Sequence, residues 1–231
     1  MAKKRRLTKK ELKEDKFAEA TVHTLDYARS HLPYVIGGIL LLVVVVIVVL
    51  GFMRSTTERR VRAETALSLA NLSYMQGNFE GALAQYDEII LRYGRSLQGK
   101  RALYYRGSTQ TLLGNYAAAI EDFRAFIQSN RKDEILGPAA QRGIGVCWEN
   151  QGLDREAARS YEEVADSYPR ALIAAASLLD AGRSYRRAGL DDEARRVYER
   201  IIDEYAGTDE SEEARGELAY GEGAAVPKLV P

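Results

Sequence analysis

Three kinds of residue in this chain of 231 could do chemistry: clustered carboxylates, one thiol, and the arginines Arg183, Arg186 and Arg187. The carboxylates occur as Glu162 and Glu163, as Asp191, Asp192 and Glu193, and as Glu210, Glu212 and Glu213. Paired carboxylates can work as general acid and base. Here they stand at helix starts or on polar faces, where attraction to the positive helix N-terminus and solubility explain them. Cys147 is the only cysteine, which excludes an intramolecular disulfide and any multi-cysteine metal site. Both histidines, His23 and His31, lie near the start, so no imidazole is at hand to activate that thiol; a buried structural cysteine is expected. Lack of His after residue 31 also removes most hydrolytic, transition-metal and proton-shuttling sites from the larger part. The glycines of "RGIGVCW" follow neither dinucleotide nor Walker spacing, so they predict packing. No catalytic, cofactor or metal site is expected, because no nucleophile, base and pocket converge.

The elements that must position these residues come from a repeat. "YMQGNFEGALAQY", "TLLGNYAAAIEDF", "ENQGLDREAARSY" and "RRAGLDDEARRVY" align on Gly77, Gly114, Gly152 and Gly189, spaced 37, 38 and 37 residues apart. Seven before stand Ala70, Gly107, Gly145 and Gly182; five after stand Ala82, Ala119, Ala157 and Ala194. Nine after come Tyr86, Phe123, Tyr161 and Tyr198, and twelve after come Ile89, Phe126, Val164 and Ile201. The central glycine suits a left-handed helix end. Small residues on either side let two antiparallel helices approach, and the aromatic fills the space toward the next pair. One hairpin cannot bury its apolar face alone, so the hairpins must stack. The predicted fold is all-α: a solenoid of about four hairpins over residues 55–220. A closing helix over Asp209–Tyr220 is expected to start with an Asp209–Glu212 capping box. Residues 221–231, "GEGAAVPKLVP", read as an extended tail, either loose or docked on a partner.

These columns resemble the tetratricopeptide repeat. The Gly–Asn–Phe/Tyr turn, the Ala of the second helix and the aromatic after it fall where that family places them. The period here exceeds the usual value of about 34 through extra residues between hairpins. The connectors "RYGRSLQGKRA", "SYPRALIAAA" and "EYAGTDESEEA" resemble the joints of the periplasmic subclass that includes BamD-like and TolA-binding proteins. "SNRKDEILGP" departs from that pattern, and an exposed, mobile loop is expected there. The resemblance implies a concave groove lined by the first helix of each hairpin. It would comprise Leu67, Asn71, Tyr74 and Met75, then Arg101 and Tyr104, then Arg142, and last Arg183, Arg186 and Arg187. Such a groove, apolar and aromatic at one end and basic at the other, suits a protein segment with apolar and acidic parts. The arginines have a second reading, in which they are solvated or pair with neighbouring acids of the chain.

Ahead of the repeats lies "GGILLLVVVVIVVLGFM", part of nineteen uncharged, mainly aliphatic residues from Val35 to Met53. A helix of that length spans roughly 28 Å, close to the hydrocarbon thickness of a bilayer. In lipid every backbone group must be bonded within the segment, so helix wins over the β-branched preference for strand. A transmembrane helix over residues 33–54 is expected, with Pro33 in its first turn and Tyr34 and Arg54 at the interfaces. The run is too long for a signal peptide, and "LGFMRST" is a poor cleavage site. The tail, residues 1–32, is basic: residues 1–34 carry nine Lys/Arg against five Asp/Glu, and the remainder of the chain is net acidic. No nucleic-acid binding follows from so local a feature. Ala18, Val22, Leu25, Arg29 and Leu32 recur at helical spacing. They read either as a juxtamembrane amphipathic helix on anionic lipid or as a solvated tail. Arg54, Arg59, Arg60 and Arg62 follow the span closely, but exporting the "KKRR" tail is hard, so the N-terminus is expected inside. No Pro or Gly lies between Phe52 and Gln76, so one continuous helix should run from the span into the first repeat.

A basic tail, one span and then repeats resemble the YfgM-type ancillary subunit of the SecY translocon and the wider group of membrane-anchored tetratricopeptide proteins. That resemblance implies a non-catalytic scaffold or chaperone-like accessory subunit in the inner membrane. Its N-terminus would be cytoplasmic and its repeats periplasmic. Its partners would be an integral membrane complex, the secretion translocon foremost, and exported polypeptides. Two rival expectations stand beside it: a permanent structural subunit of a respiratory or photosynthetic complex, and an enzyme.

Overall fold

Four aligned glycines decide where the helices stop. In the computed structural model, Gly77, Gly114, Gly152 and Gly189 have φ of 77°, 77°, 73° and 72°, a left-handed conformation that a Cβ penalises. The structure describes the backbone of residues 9–223 and the side chains of residues 32, 34, 36–54 and 56–220. One residue past each glycine, a backbone N–H reaches back to cap the helix just ended. Asn78 donates to the carbonyl of Ser73 (3.0 Å), Asn115 to Gln110 (2.9 Å), Leu153 to Trp148 (3.0 Å) and Leu190 to Tyr185 (2.9 Å), satisfying otherwise orphaned carbonyls.

The helices so punctuated are α1 (Lys9–Met75), α2 (Phe79–Tyr93), α3 (Leu97–Leu112), α4 (Tyr116–Ser129), α5 (Leu136–Asn150), α6 (Asp154–Ser167), α7 (Ala174–Arg187), α8 (Asp191–Glu204) and α9 (Asp209–Gly223). They fall into two compact units, Met1–Glu58 and Arg59–Pro231. In the first unit the backbone is helical from Lys9 onward. The described side chains between residues 36 and 53 are all exposed. By length and composition this stretch can cross a membrane, and none of its most apolar window is buried. Just past it, the hydroxyls of Thr56 and Thr57 donate to the carbonyl of Met53 at 2.8 and 2.9 Å. Residues 1–8, the side chains of Ala18, Val22, Leu25 and Arg29, and residues 224–231 of the expected tail lie outside the described residues.

The second unit is an all-α solenoid of four stacked hairpins, α1–α2, α3–α4, α5–α6 and α7–α8, closed by α9. Every column of the repeat but the central glycine is buried. Ala82, Ala119, Ala157 and Ala194, and the ring column Tyr86, Phe123, Tyr161 and Tyr198, are at most 2% exposed. The small residue seven before the turn makes room for the ring nine after it. A Cβ on Gly145 would collide with the Tyr161 ring, and one on Gly182 with the Tyr198 ring. From α2 to α9 each helix packs on the next in sequence, and α3 touches α5, α5 touches α7 and α7 touches α9; the end of α1 shares a core with α2 through Leu67, Ala70, Ala82 and Tyr86. The first helices of successive hairpins therefore line up side by side on one face.

One local expectation is corrected. Thr208, not Asp209, caps α9: its Oγ1 accepts from the Ser211 N–H at 3.2 Å, while Asp209 is already in the first turn. Thr stands one residue ahead of the helix with its hydroxyl in reach of the third N–H, which leaves the acidic side chains to favour the helix dipole. The "SNRKDEILGP" connector is exposed, yet Asp133 organises it. One of that residue's carboxylate oxygens accepts from the N–H groups of Ile135 (3.2 Å) and Leu136 (2.8 Å), and the other from the Asn130 amide (3.0 Å).

Candidate partner-binding groove

The face formed by α3, α5, α7, α9 and the end of α1 divides into two chemically different halves. On the first two repeats it is aromatic. Tyr104 of α3 is half-buried, with its ring centroid 5.3 Å from Tyr105 and 5.8 Å from both Phe123 and Phe126. Burial pushes its hydroxyl above the ordinary tyrosine range. Tyr74 packs edge-on against Phe79, centroids 5.6 Å apart. Met75 is exposed at the end of α1, and Leu112 at the end of α3. Asn71 is engaged: its side-chain oxygen accepts from the Tyr86 hydroxyl at 2.7 Å. Leu67 does not reach the surface, because it belongs to the core of the first hairpin with Ala70, Ala82 and Tyr86. Arg101 is half-buried, and its Nε is buried without a hydrogen-bond partner among the described residues.

In the last two repeats the expected basic end is neutralised from within the chain. Arg142 donates to Asp180 at 2.6 Å, one first helix to the next. Arg187 donates to Glu149 of α5 at 2.6 Å and to Asp154 of α6 at 2.8 Å. Arg183 pairs with Glu213 and Glu217 of α9. Arg186 pairs with Glu217 and lies over the Tyr198 ring, 5.3 Å from its centroid. Of the two readings of these arginines, pairing with neighbouring acids is the one the geometry displays. Glu149 also accepts from the Tyr161 hydroxyl at 2.6 Å, and burial raises that hydroxyl's pKa first, with the Glu149 contact adding to it.

The sequence reading missed a second ionic centre, where α3 meets the second helices α2 and α4. Arg106 donates through Nε to Asp122 at 2.8 Å and also bonds Asp87 of the preceding hairpin; Gln110 donates to Asp122 at 2.9 Å. The Asp122 side chain is almost wholly buried. Its hydrogen bond holds the Arg106 guanidinium still more firmly protonated. A signal existed: Gly107 meets Phe123 across the hairpin, so the residues just before each, Arg106 and Asp122, must face one another too. Cys147 is fully buried, 3.3 Å from the Thr111 hydroxyl, and burial pushes its thiol up. Among the described residues no three His, Cys, Asp or Glu side chains gather to hold a metal ion.

Comparisons with known proteins agree with this architecture. Models of the tetratricopeptide repeat match residues 67–134 and 113–171, and again 176–208. A sequence search of curated proteins gave no match. Among solved structures, MamA superposes with a TM-score of 0.52 at 21% identity, over 62% of this chain and 78% of that one. A putative kinesin light chain from Podosopora anserina with nearly identical TPR-like repeats gives 0.53 at 17% identity, over 69% and 84%. MamA from Desulfovibrio magneticus, from residue 41 to the end, gives 0.51 at 12% identity, over 64% and 77%. At such identities the likeness is one of fold. Matched over more than half of its length, with a left-handed glycine at every hairpin turn, the chain belongs to the tetratricopeptide repeat family.

Proposed function

We propose that this protein is a membrane-anchored, non-catalytic scaffold that captures a segment of a partner protein on the first two repeats of its groove. Repeats of this family imply protein–protein interaction. The observation that carries the narrower reading is the contrast between the two halves. Arg142, Arg183, Arg186 and Arg187 are occupied by the chain's own acids, whereas Tyr74, Met75, Tyr104 and Leu112 leave an aromatic and apolar surface. A partner segment with an apolar anchor fits there. The apolar run supports a single span and the basic tail supports an inside N-terminus, and on that reading the repeats face the periplasm. The secretion translocon and its exported chains are the partners this arrangement serves.

The test is purification of the full chain in mild detergent, followed by crosslinking from Tyr104 and Arg187. Crosslinks from Tyr104 to translocon subunits or to many exported chains are expected, with Arg187 silent. One co-purifying complex of fixed stoichiometry would favour a permanent structural subunit instead. Protease added outside spheroplasts should remove the repeats and spare the N-terminus. Protection of residues 63–231 would put the repeats in the cytoplasm and sink the secretion reading.

A further inference from the structure

The connectors between hairpins, with the helix starts they lead into, share a feature that the groove does not use. Leu97, Ile135 and Leu172 occupy equivalent places, each ten residues before the small residue of the next first helix, Gly107, Gly145 and Gly182. They are 42%, 79% and 100% exposed. Single apolar side chains on a surface need no explanation, but three recurring at the repeat spacing form a ladder. Cations accompany each rung: Arg95 beside Leu97, Arg131 and Lys132 beside Ile135, and Arg170 beside Leu172. All four are exposed and make no ion pair with another described residue, unlike Arg142, Arg183, Arg186 and Arg187. Of the acids in these connectors, Asp133 is turned onto the N–H groups of Ile135 and Leu136, which leaves Glu134. The connector before α9 breaks the series, with Asp209 at the apolar place and no cation.

Successive helices of stacked hairpins alternate in direction, so these connectors all lie at the edge where the first helices begin. The solenoid's own first residues, Arg59 and Arg60, begin at that edge as well, and in sequence they follow closely on Met53, the end of the apolar run. We propose that this edge rests on an anionic lipid surface. Leu97, Ile135 and Leu172 enter the headgroup layer, and Arg95, Arg131, Lys132 and Arg170 meet lipid phosphates. The proposal rests on reading the apolar run as a membrane anchor. Apolar tips flanked by basic residues are the composition of interfacial segments. Each loop alone binds weakly, but a chain already anchored brings all three to the bilayer at high effective concentration. A protein partner would have to offer apolar sockets in register with three rungs; a fluid lipid surface has no register to match.

The test uses the full chain with one added cysteine carrying an environment-sensitive fluorophore, in Leu97→Cys, Ile135→Cys, Leu172→Cys, or Leu112→Cys at the opposite edge. Cys147 is fully buried, and the parent chain supplies the labelling blank. The variants are reconstituted into phosphatidylcholine vesicles with or without phosphatidylglycerol, with nitroxide lipid as quencher. Quenching is expected at the three connector sites, stronger with phosphatidylglycerol, and absent at Leu112→Cys. Reversing Arg95, Arg131 and Arg170 to Glu should weaken it, by about fivefold per cation in the edge–membrane equilibrium. Vesicle flotation reads the anchor separately. A chain that floats with its connector labels unquenched overturns the edge proposal and leaves the anchor standing. A chain that does not float overturns both. Labels shielded only after solubilised membrane proteins are added overturn the lipid assignment in favour of a protein partner.

Discussion

Gly182 and Tyr198 show how much of this fold hangs on single atoms. The ring of Tyr198 fills the space where a Gly182 side chain would stand, so Gly182→Ala forces either the ring or the helix to move. Ala157 is likewise fully buried where α5 and α6 meet. Ala157→Leu should cost about 1–3 kcal/mol, read as a lowered urea midpoint; a wild-type midpoint would contradict the hairpin packing. Asp122→Ala removes the buried partner of Arg106 and should cost about 2–3 kcal/mol, whereas Asp87→Ala, at the exposed end of the same network, should cost well under half of that. Calorimetry on both variants decides. The tyrosines set an alkaline limit. Burial first, and then the hydrogen bond to Glu162, raise Tyr185 from 10.0 to about 12. An acid whose folded pKa is raised contributes stability that is complete below its unfolded pKa and lost as pH rises through the folded one. Stability should therefore fall between pH 10 and 12, and Tyr185→Phe should make that fall shallower. An unchanged slope in denaturation across that window would refute the assignment.

At the scale of helices, the boundaries were legible because their cause is local: a left-handed glycine ends each first helix, and the chain names those glycines by spacing. The groove was legible only in part. Leu67 fell on a lining position of the repeat but turns into the first hairpin, and nothing in spacing alone separates a lining side chain from a core one a fraction of a turn away. The arginines' partners were hidden for another reason. Arg183 and Arg186 meet Glu213 and Glu217 on α9, and that match depends on how α9 lies across α7. These pairs make α9 an electrostatic lid on the end of the stack. Arg186 and Glu217 are both partly exposed, so a double-mutant cycle of Arg186→Ala and Glu217→Ala should give a coupling of about 0.5–1 kcal/mol. Amide exchange in α9 should quicken in either variant and in high salt. Additive energies would show that the pair does not hold the helix. By the same logic, removing Arg183, Arg186 and Arg187 together should loosen α9, so that variant tests stability before it tests binding.

For the whole molecule, the decisive fact is that from α2 to α9 no helix packs against one more than two places away in sequence. Strain introduced by Ala157→Leu should therefore appear as faster amide exchange in α5, α6 and α7 and fade by α2, because a stacked array passes damage only to neighbours. The same locality governs how the solenoid answers to force. Held at Arg59 and pulled from Tyr220, it has no contact between α2 and α9 that must break before the rest can yield. Load falls first on the terminal helix, then on one hairpin after another. Each repeat of 37 or 38 residues should release about 125 Å of chain, giving a staircase in an optical trap where a globular domain of equal size would give a single rip. A solenoid of this kind stretches under load by handing over one repeat at a time, and it can take each one back when the load falls.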